Sequence, residues 1–425
     1  MMYENKRFRQ KWSEYTCSSG LKLVMIHKPD FRMSGAMMIT PYGSLDYVQR
    51  DEKGNVYESP AGTAHFLEHK LFESESGDVM KAFSLHGASV NAFTSYDSTA
   101  CFFTTGEDNV KEPLNLLLDF VQSFSVSEAS VEKEKPIILD EYAMYQEDPD
   151  SRIFLESMRG LYHSHPLRED IVGNRESILS ITVKDLEEAY ARNYHPSMMT
   201  LLVVSPLSAE ELIDTVESNQ AKKHFSPSVK YFRKDWREDG PVEKEQVEIR
   251  MDVSSPKSCV SYKMPMKYHN AREQSRTEWS IRFVLESWFS PLNPRYQSWI
   301  DEHRITPYFG YEIDCSPDHS YLQFQDEHSD SDRLLSFVTE ELDRIRKEGI
   351  SEDTVQQLRR RTVGGNIRLF DYPSELMSSW ARGVIAGMSI FDEIEEIEKV
   401  TAESCMQVFR ETDPGIPSCA KLVSK

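Results

Sequence analysis

His65-Phe66-Leu67-Glu68-His69 sets two imidazoles four residues apart, with a carboxylate one position before the second. On a helix this spacing brings both histidines to one face, about one turn apart. Two imidazoles so placed can serve a hydrolytic zinc site, which takes three protein ligands and keeps a fourth position open for water. Glu68 lies on the same side and is placed to move a proton without being a ligand. The order His-x-x-Glu-His inverts the commoner zinc-protease signature His-Glu-x-x-His. With 12 histidines in 425 residues, roughly 0.03 such patterns arise by accident per chain, so the motif needs a second element.

Glu134-Lys-Pro-Ile-Ile-Leu-Asp-Glu141 supplies one. Its two glutamates are seven apart, which is two helical turns and one face. Glu141 can then be the third zinc ligand, with Glu134 placed to orient a ligand imidazole. Acidic runs such as Glu132, Glu134, Asp140 and Glu141 are ordinarily solvated helix faces. Beside His65 and His69 the ligand reading is the stronger one.

Three blocks in this order, Ala61-Gly-Thr-Ala-His65-Phe-Leu-Glu-His69, Gly87-Ala-Ser-Val-Asn91-Ala-Phe-Thr94 and Glu134 to Glu141, resemble the pitrilysin or insulinase-like zinc proteases. The match is to the small-subunit branch that includes the mitochondrial processing peptidase, and it covers residues 20 to 205. The resemblance implies zinc on His65, His69 and Glu141, with Glu68 as general base. It also implies that Asn91, Ala92 and Phe93 line a cleft and receive substrate as an added β-strand. Without the resemblance, Asn91-Ala92 reads as an ordinary strand leading into a turn. His69-Lys-Leu-Phe72 followed by Gly77-Asp-Val79 is similar to paired proteases of Gram-positive bacteria, some of which mature bacteriocins of the subtilosin type.

The elements that must position these residues fit a chain of two or more domains. Hydrophobic residues make up 39% and charged residues 28%, as in a folded soluble protein. No apolar run reaches transmembrane length, and Leu114-Asn-Leu-Leu-Leu-Asp-Phe120 reads as a short buried helix. The N-terminus has no apolar signal core, so a cytoplasmic site is expected and no membrane insertion. Six scattered cysteines with no Cys-x-x-Cys pair read as reduced thiols without structural zinc. A net charge of −21 argues against a nucleic-acid partner, because phosphates are repelled. The one basic run, Arg359-Arg-Arg361, lies on a predicted helix and is too short to outweigh the acid.

Helix starts reveal a duplication. Val126-Ser-Glu-Ala-Ser-Val131 recurs as Ile350-Ser-Glu-Asp-Thr-Val355, 224 residues later, and Ile181-Thr182 recurs as Val400-Thr401, offset by 219. Ser127, Ser351, Thr182 and Thr401 are N-caps, and Ser208-x-x-Glu211 is a capping box. Strand-like Leu21-Lys-Leu-Val-Met-Ile26 and Thr200-Leu-Leu-Val-Val204 alternate with helical stretches. The expected fold is α+β: two homologous α/β-sandwich halves, each an antiparallel-rich sheet with packed helices, in a clam-like arrangement. The expected divisions are a zinc-bearing half at 1–222, a linker at 223–245 and a degenerate half at 246–425.

Sliding by 224 sets Leu358 opposite Glu134 and Gly365 opposite Glu141, and no His-x-x-x-His pair follows Gln246. The second half therefore has no copy of the metal motif. The resemblance implies that it closes a chamber favouring short or unfolded peptides. It also implies an Arg followed seven residues later by a Tyr, which bind substrate and polarise its carbonyl. Ile300-Asp-Glu-His-Arg-Ile-Thr-Pro-Tyr308 aligns Tyr308 as the substrate-binding Tyr but puts Asp301 at the Arg position. Arg304 and Arg295 do not fit the spacing. An oxyanion donor is typically worth about 10²–10³ in rate, so a homologous subunit carrying the intact pair is expected as partner in a heterodimer, or otherwise a second copy in a homodimer.

His163-Ser-His165-Pro166 reads as a structural loop, since residues two apart do not share a helix face. His195 reads as a turn or helix-end residue. The leading expectation is a zinc metalloendopeptidase, and the competing one is a non-catalytic, peptide-binding subunit of the same fold.

Overall fold

The computed structural model describes residues 1–74, 77–106, 109–264, 268–412 and 414–425. It contains two compact units. One is built from Met1–Tyr142, Glu169–Lys234 and Ile367–Ala386, the other from Ala143–Arg168, Asp235–Asn366 and Gly387–Lys425.

The first unit holds a seven-stranded sheet in the order Met2–Asn5, Gln10–Thr16, Lys22–His27, Thr200–Ser205, Ser34–Thr40, Thr99–Thr105, Ala88–Thr94. Lys22–His27 and Thr200–Ser205 pair in parallel, while the other neighbours are antiparallel. Every residue of Ser34–Thr40 and Thr200–Ser205 is buried, so both faces of the sheet centre must be covered. The Lys111–Val121 and Ala209–Gln220 helices pack on its strands, and so does the Pro373–Ile385 helix from late in the chain. That last helix buries Leu376, Met377, Trp380 and Ala381. At Gly35 a Cβ would stand 2.6 Å from Met377 Cε and 2.9 Å from the Phe103 carbonyl, which explains a glycine in a central strand.

The second unit holds a five-stranded sheet in the order Gln246–Met251, Ser418–Ser424, Lys257–Lys263, Ser320–Asp326, Gly310–Cys315. Here the Pro149–Leu161 helix, from the first half of the sequence, packs on the first three strands. Its Ile153 joins a core with Ile249, Cys259, Ala420 and Leu422.

Two helices at matching positions of the repeat therefore trade places. Pro149 and Pro373 each open a helix in its first turn, where proline costs no hydrogen bond, and they are 224 residues apart. The packing units consequently cross the expected boundaries at 222 and 246. The presumed linker is also partly ordered: Tyr231–Arg233 pairs with Val48–Asp51, and Arg233 holds Asp46 at 2.8 Å.

Local readings survive this exchange. Ser127, Thr182, Ser208, Ser351 and Thr401 each accept the backbone N–H three residues on. Leu114–Phe120 lies within the Lys111–Val121 helix, and Arg359–Arg361 within Glu352–Leu369. All six cysteines are buried thiols. No helix among the described residues is long and apolar enough to cross a membrane.

Candidate metal centre

The motif lies on the Thr63–Leu71 helix, opened by Gly62 at φ 87°. A Cβ there would come within 2.3 Å of the Val172 carbonyl, so both the left-handed backbone and the close approach require glycine. Thr63 Oγ1 donates to the Pro60 carbonyl at 2.6 Å. Phe66, Leu67 and Leu71 are buried, packing the helix against the Val183–Asn193 helix and the Ala88–Thr94 strand. The histidine face is thereby fixed, with the two rings 4.6 Å apart between centroids.

Glu141 comes from the Glu128–Glu147 helix, which runs through Pro136 despite the lost N–H. Its Oε1 lies 3.5 Å from His65 Nε2 and its Oε2 3.5 Å from His69 Nε2. One ligand atom from each residue falls within 4.8 Å of the others. Zinc bonds of about 2.0–2.1 Å at a tetrahedral angle set ligand atoms about 3.3 Å apart, so this donor set fits zinc. His65 Nδ1 is buried with no hydrogen-bond partner, so on that side packing alone orients the ring.

Glu134 Oε1 lies 3.1 Å from His69 Nδ1, and its Oε2 accepts from Lys70 Nζ at 3.2 Å. Lys70 is almost completely buried and also pairs with Glu73. Glu68 Oε2 accepts from Thr94 Oγ1 at 2.8 Å. Hydrogen bonds from His65 and then His69 hold the Glu141 carboxyl well below the usual carboxylate range, against the opposing effect of burial. Burial disfavours charge on His69, but hydrogen bonds to Glu141 and Glu134 and the charges of Glu68 and Glu134 outweigh it, so its pKa is raised.

Asn91, Ala92 and Phe93 lie on Ala88–Thr94, the outermost strand of the first sheet. Phe93 is 38% exposed, and the Ala92 N–H donates to Asn91 Oδ1 at 2.9 Å. Tyr308 belongs to the other unit, in a turn, and is 69% exposed. Arg304 is tied to Glu340 at 2.6 Å and Arg295 to Glu348. The sequence reading did not single out Gly62, Lys70 or Thr94 individually. Gly62 and Thr94 stood inside quoted blocks, but nothing in their spacing marks a role.

His165, Asp318 and His319 form a second cluster of potential ligands, beside a cavity of about 360 Å³. Hydrogen bonds engage the Nδ1 atom of each histidine. The Leu167 N–H donates to His165 Nδ1 at 3.1 Å, which puts the neutral ring's proton on Nε2. His319 sits between Asp318, 2.9 Å from its Nδ1, and Asp314, 3.5 Å from its Nε2. Burial opposes the His319 charge, but the two aspartates prevail and raise its pKa to about 9. The folded value exceeds the ordinary 6.5, so the stabilisation is complete below about pH 6.5 and is lost as pH rises toward 9. In denaturant titrations, wild type should lose stability across that interval at a slope approaching about 1.4 kcal/mol per pH unit more than His319→Gln. Equal slopes would contradict this account.

The insulinase (peptidase family M16) profile matches residues 52–175, and that of the peptidase M16 inactive domain matches residues 180–362. The chain belongs to this family. It is 34% identical over 93% of its length to the uncharacterized zinc protease YmfH of Bacillus subtilis, covering 92% of that protein. A Bacillus subtilis (strain 168) protein bearing the name zinc protease AlbF is 31% identical over 47% of this chain and 48% of its own length. The crystal structure of an M16-like peptidase from Alicyclobacillus acidocaldarius superposes with a TM-score of 0.91 at 30% identity, covering 98% of this chain and 99% of that one.

Proposed function

We propose that the chain is a zinc-dependent endopeptidase acting on short or unfolded peptides, and that it is the catalytic member of a pair of homologous subunits. The observation that carries this reading is the meeting of His65, His69 and Glu141 within 4.8 Å, with Glu68 one residue from a ligand and held by Thr94. When bound, zinc supplies Lewis acidity and brings the pKa of a water to about 7.

The protein's own residues do the rest. His65, His69 and Glu141 hold the ion, and Glu134 orients the His69 ring through Nδ1 while Lys70 fixes Glu134 in turn. Glu68 takes a proton from the attacking water and returns one to the leaving amine. A peptide adds along the free edge of Ala88–Thr94, where main-chain pairing at Asn91, Ala92 and Phe93 gives register without demanding a particular sequence. Tyr308 contributes to substrate binding. With Arg295 and Arg304 both engaged in ion pairs, the guanidinium that would complete the clamp comes from a partner subunit. The similarity of His69-Lys-Leu-Phe72 and Gly77-Asp-Val79 to paired proteases of Gram-positive bacteria makes a precursor or leader peptide the first substrate to try.

The test is peptide cleavage by the purified chain, alone and with the product of a homologous neighbouring gene, together with zinc analysis. Near-stoichiometric zinc and cleavage that rises on adding the partner are expected. A chain that purifies without zinc and cleaves nothing with the partner is a peptide-binding scaffold. Full activity from the monomer alone would overturn the shared-site part.

A further inference from the structure

Thr94 ends the Ala88–Thr94 edge strand and stands directly across the ladder from Thr99. Each threonine hydroxyl has one proton to give. Thr99 Oγ1 spends its own on the Tyr42 carbonyl at 2.9 Å, so Thr99 can only accept in its 3.4 Å contact with Thr94. The Glu68 carboxylate is nearer, at 2.8 Å, and its charge makes it the stronger acceptor. The Thr94 proton therefore goes to Glu68 Oε2, and Oε1 is the oxygen left to exchange protons with a substrate.

The surroundings make this donor hard to replace. Thr99, Cys101 and Tyr194 are all buried. Burial first, and the Glu68 charge as well, push the pKa of both Cys101 and Tyr194 up. The Glu68 carboxylate thus stands near a dry wall, with the Thr94 hydroxyl fixing it from the strand.

We infer that Thr94 is a positioning residue that fixes the rotamer of the Glu68 carboxylate and selects which of its oxygens does the proton transfer. This rests on the general-base role proposed for Glu68. It also ties the base to the strand proposed to receive the peptide, so one element sets both the substrate and the base.

Thr94→Val keeps the side-chain shape and removes the donor, while Thr94→Ser keeps the donor. Steady-state cleavage, measured in the presence of any required partner, should show kcat for Thr94→Val reduced about 10- to 100-fold, the scale of a misplaced catalytic group. KM should stay within about twofold and zinc content at the wild-type value, with Thr94→Ser recovering most of the rate. A wild-type kcat for Thr94→Val, equal damage in both variants, or a loss that follows zinc content would each overturn the inference.

A readout free of catalysis separates this from the reading beneath it. In denaturant unfolding of the zinc-free chain, Thr94→Val and Glu68→Ala should shift the midpoint together by less than the sum of their separate shifts. Additive shifts would show no coupling and overturn the inference even if Glu68 is the base. Coupled shifts beside an inactive wild type would instead sink the base role.

Discussion

Glu68→Gln is expected to lower kcat for peptide cleavage by about 10²–10⁴-fold, the usual contribution of a positioned acid-base group, while zinc stays bound at the wild-type ratio. The substitution isolates proton transfer. Gln has nearly the shape of Glu, and its amide oxygen still accepts from Thr94 Oγ1, which lies 2.8 Å from the native carboxylate. Glu68 makes no part of the ligand triad, so His65, His69 and Glu141 keep their mutual spacing. The amide cannot take a proton at neutral pH, and the rate is lost for that reason alone. Cleavage assays paired with metal analysis check it. Equal activity of the two proteins would remove Glu68 from the chemistry. A large loss of zinc would show instead that Glu68 serves the metal.

The second large effect concerns folding. Residues 1–240 produced as a separate chain should fail to reach a native state, although they contain the whole motif. The first sheet depends on the Pro373–Ile385 helix, whose Leu376, Met377 and Trp380 are at most 3% exposed. Truncating one such side chain typically costs about 2–5 kcal/mol. Losing three together is comparable with the whole stability of an ordinary domain, about 5–15 kcal/mol. Residues 241–425 alone have the matching defect, because Ile153 and the Pro149–Leu161 helix complete the second core. Coexpression should give both fragments in one soluble, zinc-binding complex. A cooperative thermal transition from residues 1–240 alone would refute this dependence.

Much of the candidate site was legible because it rests on local geometry. The His65–His69 spacing is one helical turn and the Glu134–Glu141 spacing is two, so each pair had to share a face once its helix formed. The caps at Ser127, Thr182, Ser208, Ser351 and Thr401 were legible for the same reason: a side chain and an N–H three residues away lie within one turn. Lys70 was not. Its position next to His69 reads as a solvated lysine, and only packing shows it buried beneath Glu134 and Glu73. Thr94 was quoted within a block, but its hydroxyl acquires meaning only when the strand passes beside the motif helix.

The duplication marks the limit of one-dimensional reading. An offset of 224 showed that the chain repeats. It carried no sign that the helices at Pro149 and Pro373 would cover each other's sheets, because an apolar helix face records that it must be buried and not against what. The sequence by itself determined the donor types, their helical spacing and the lack of a second metal motif. Tertiary structure alone decided which hydroxyl holds Glu68 and which half of the chain completes each core. The first set is fixed by bonds within a turn or two, whereas the second depends on contacts between segments tens to hundreds of residues apart.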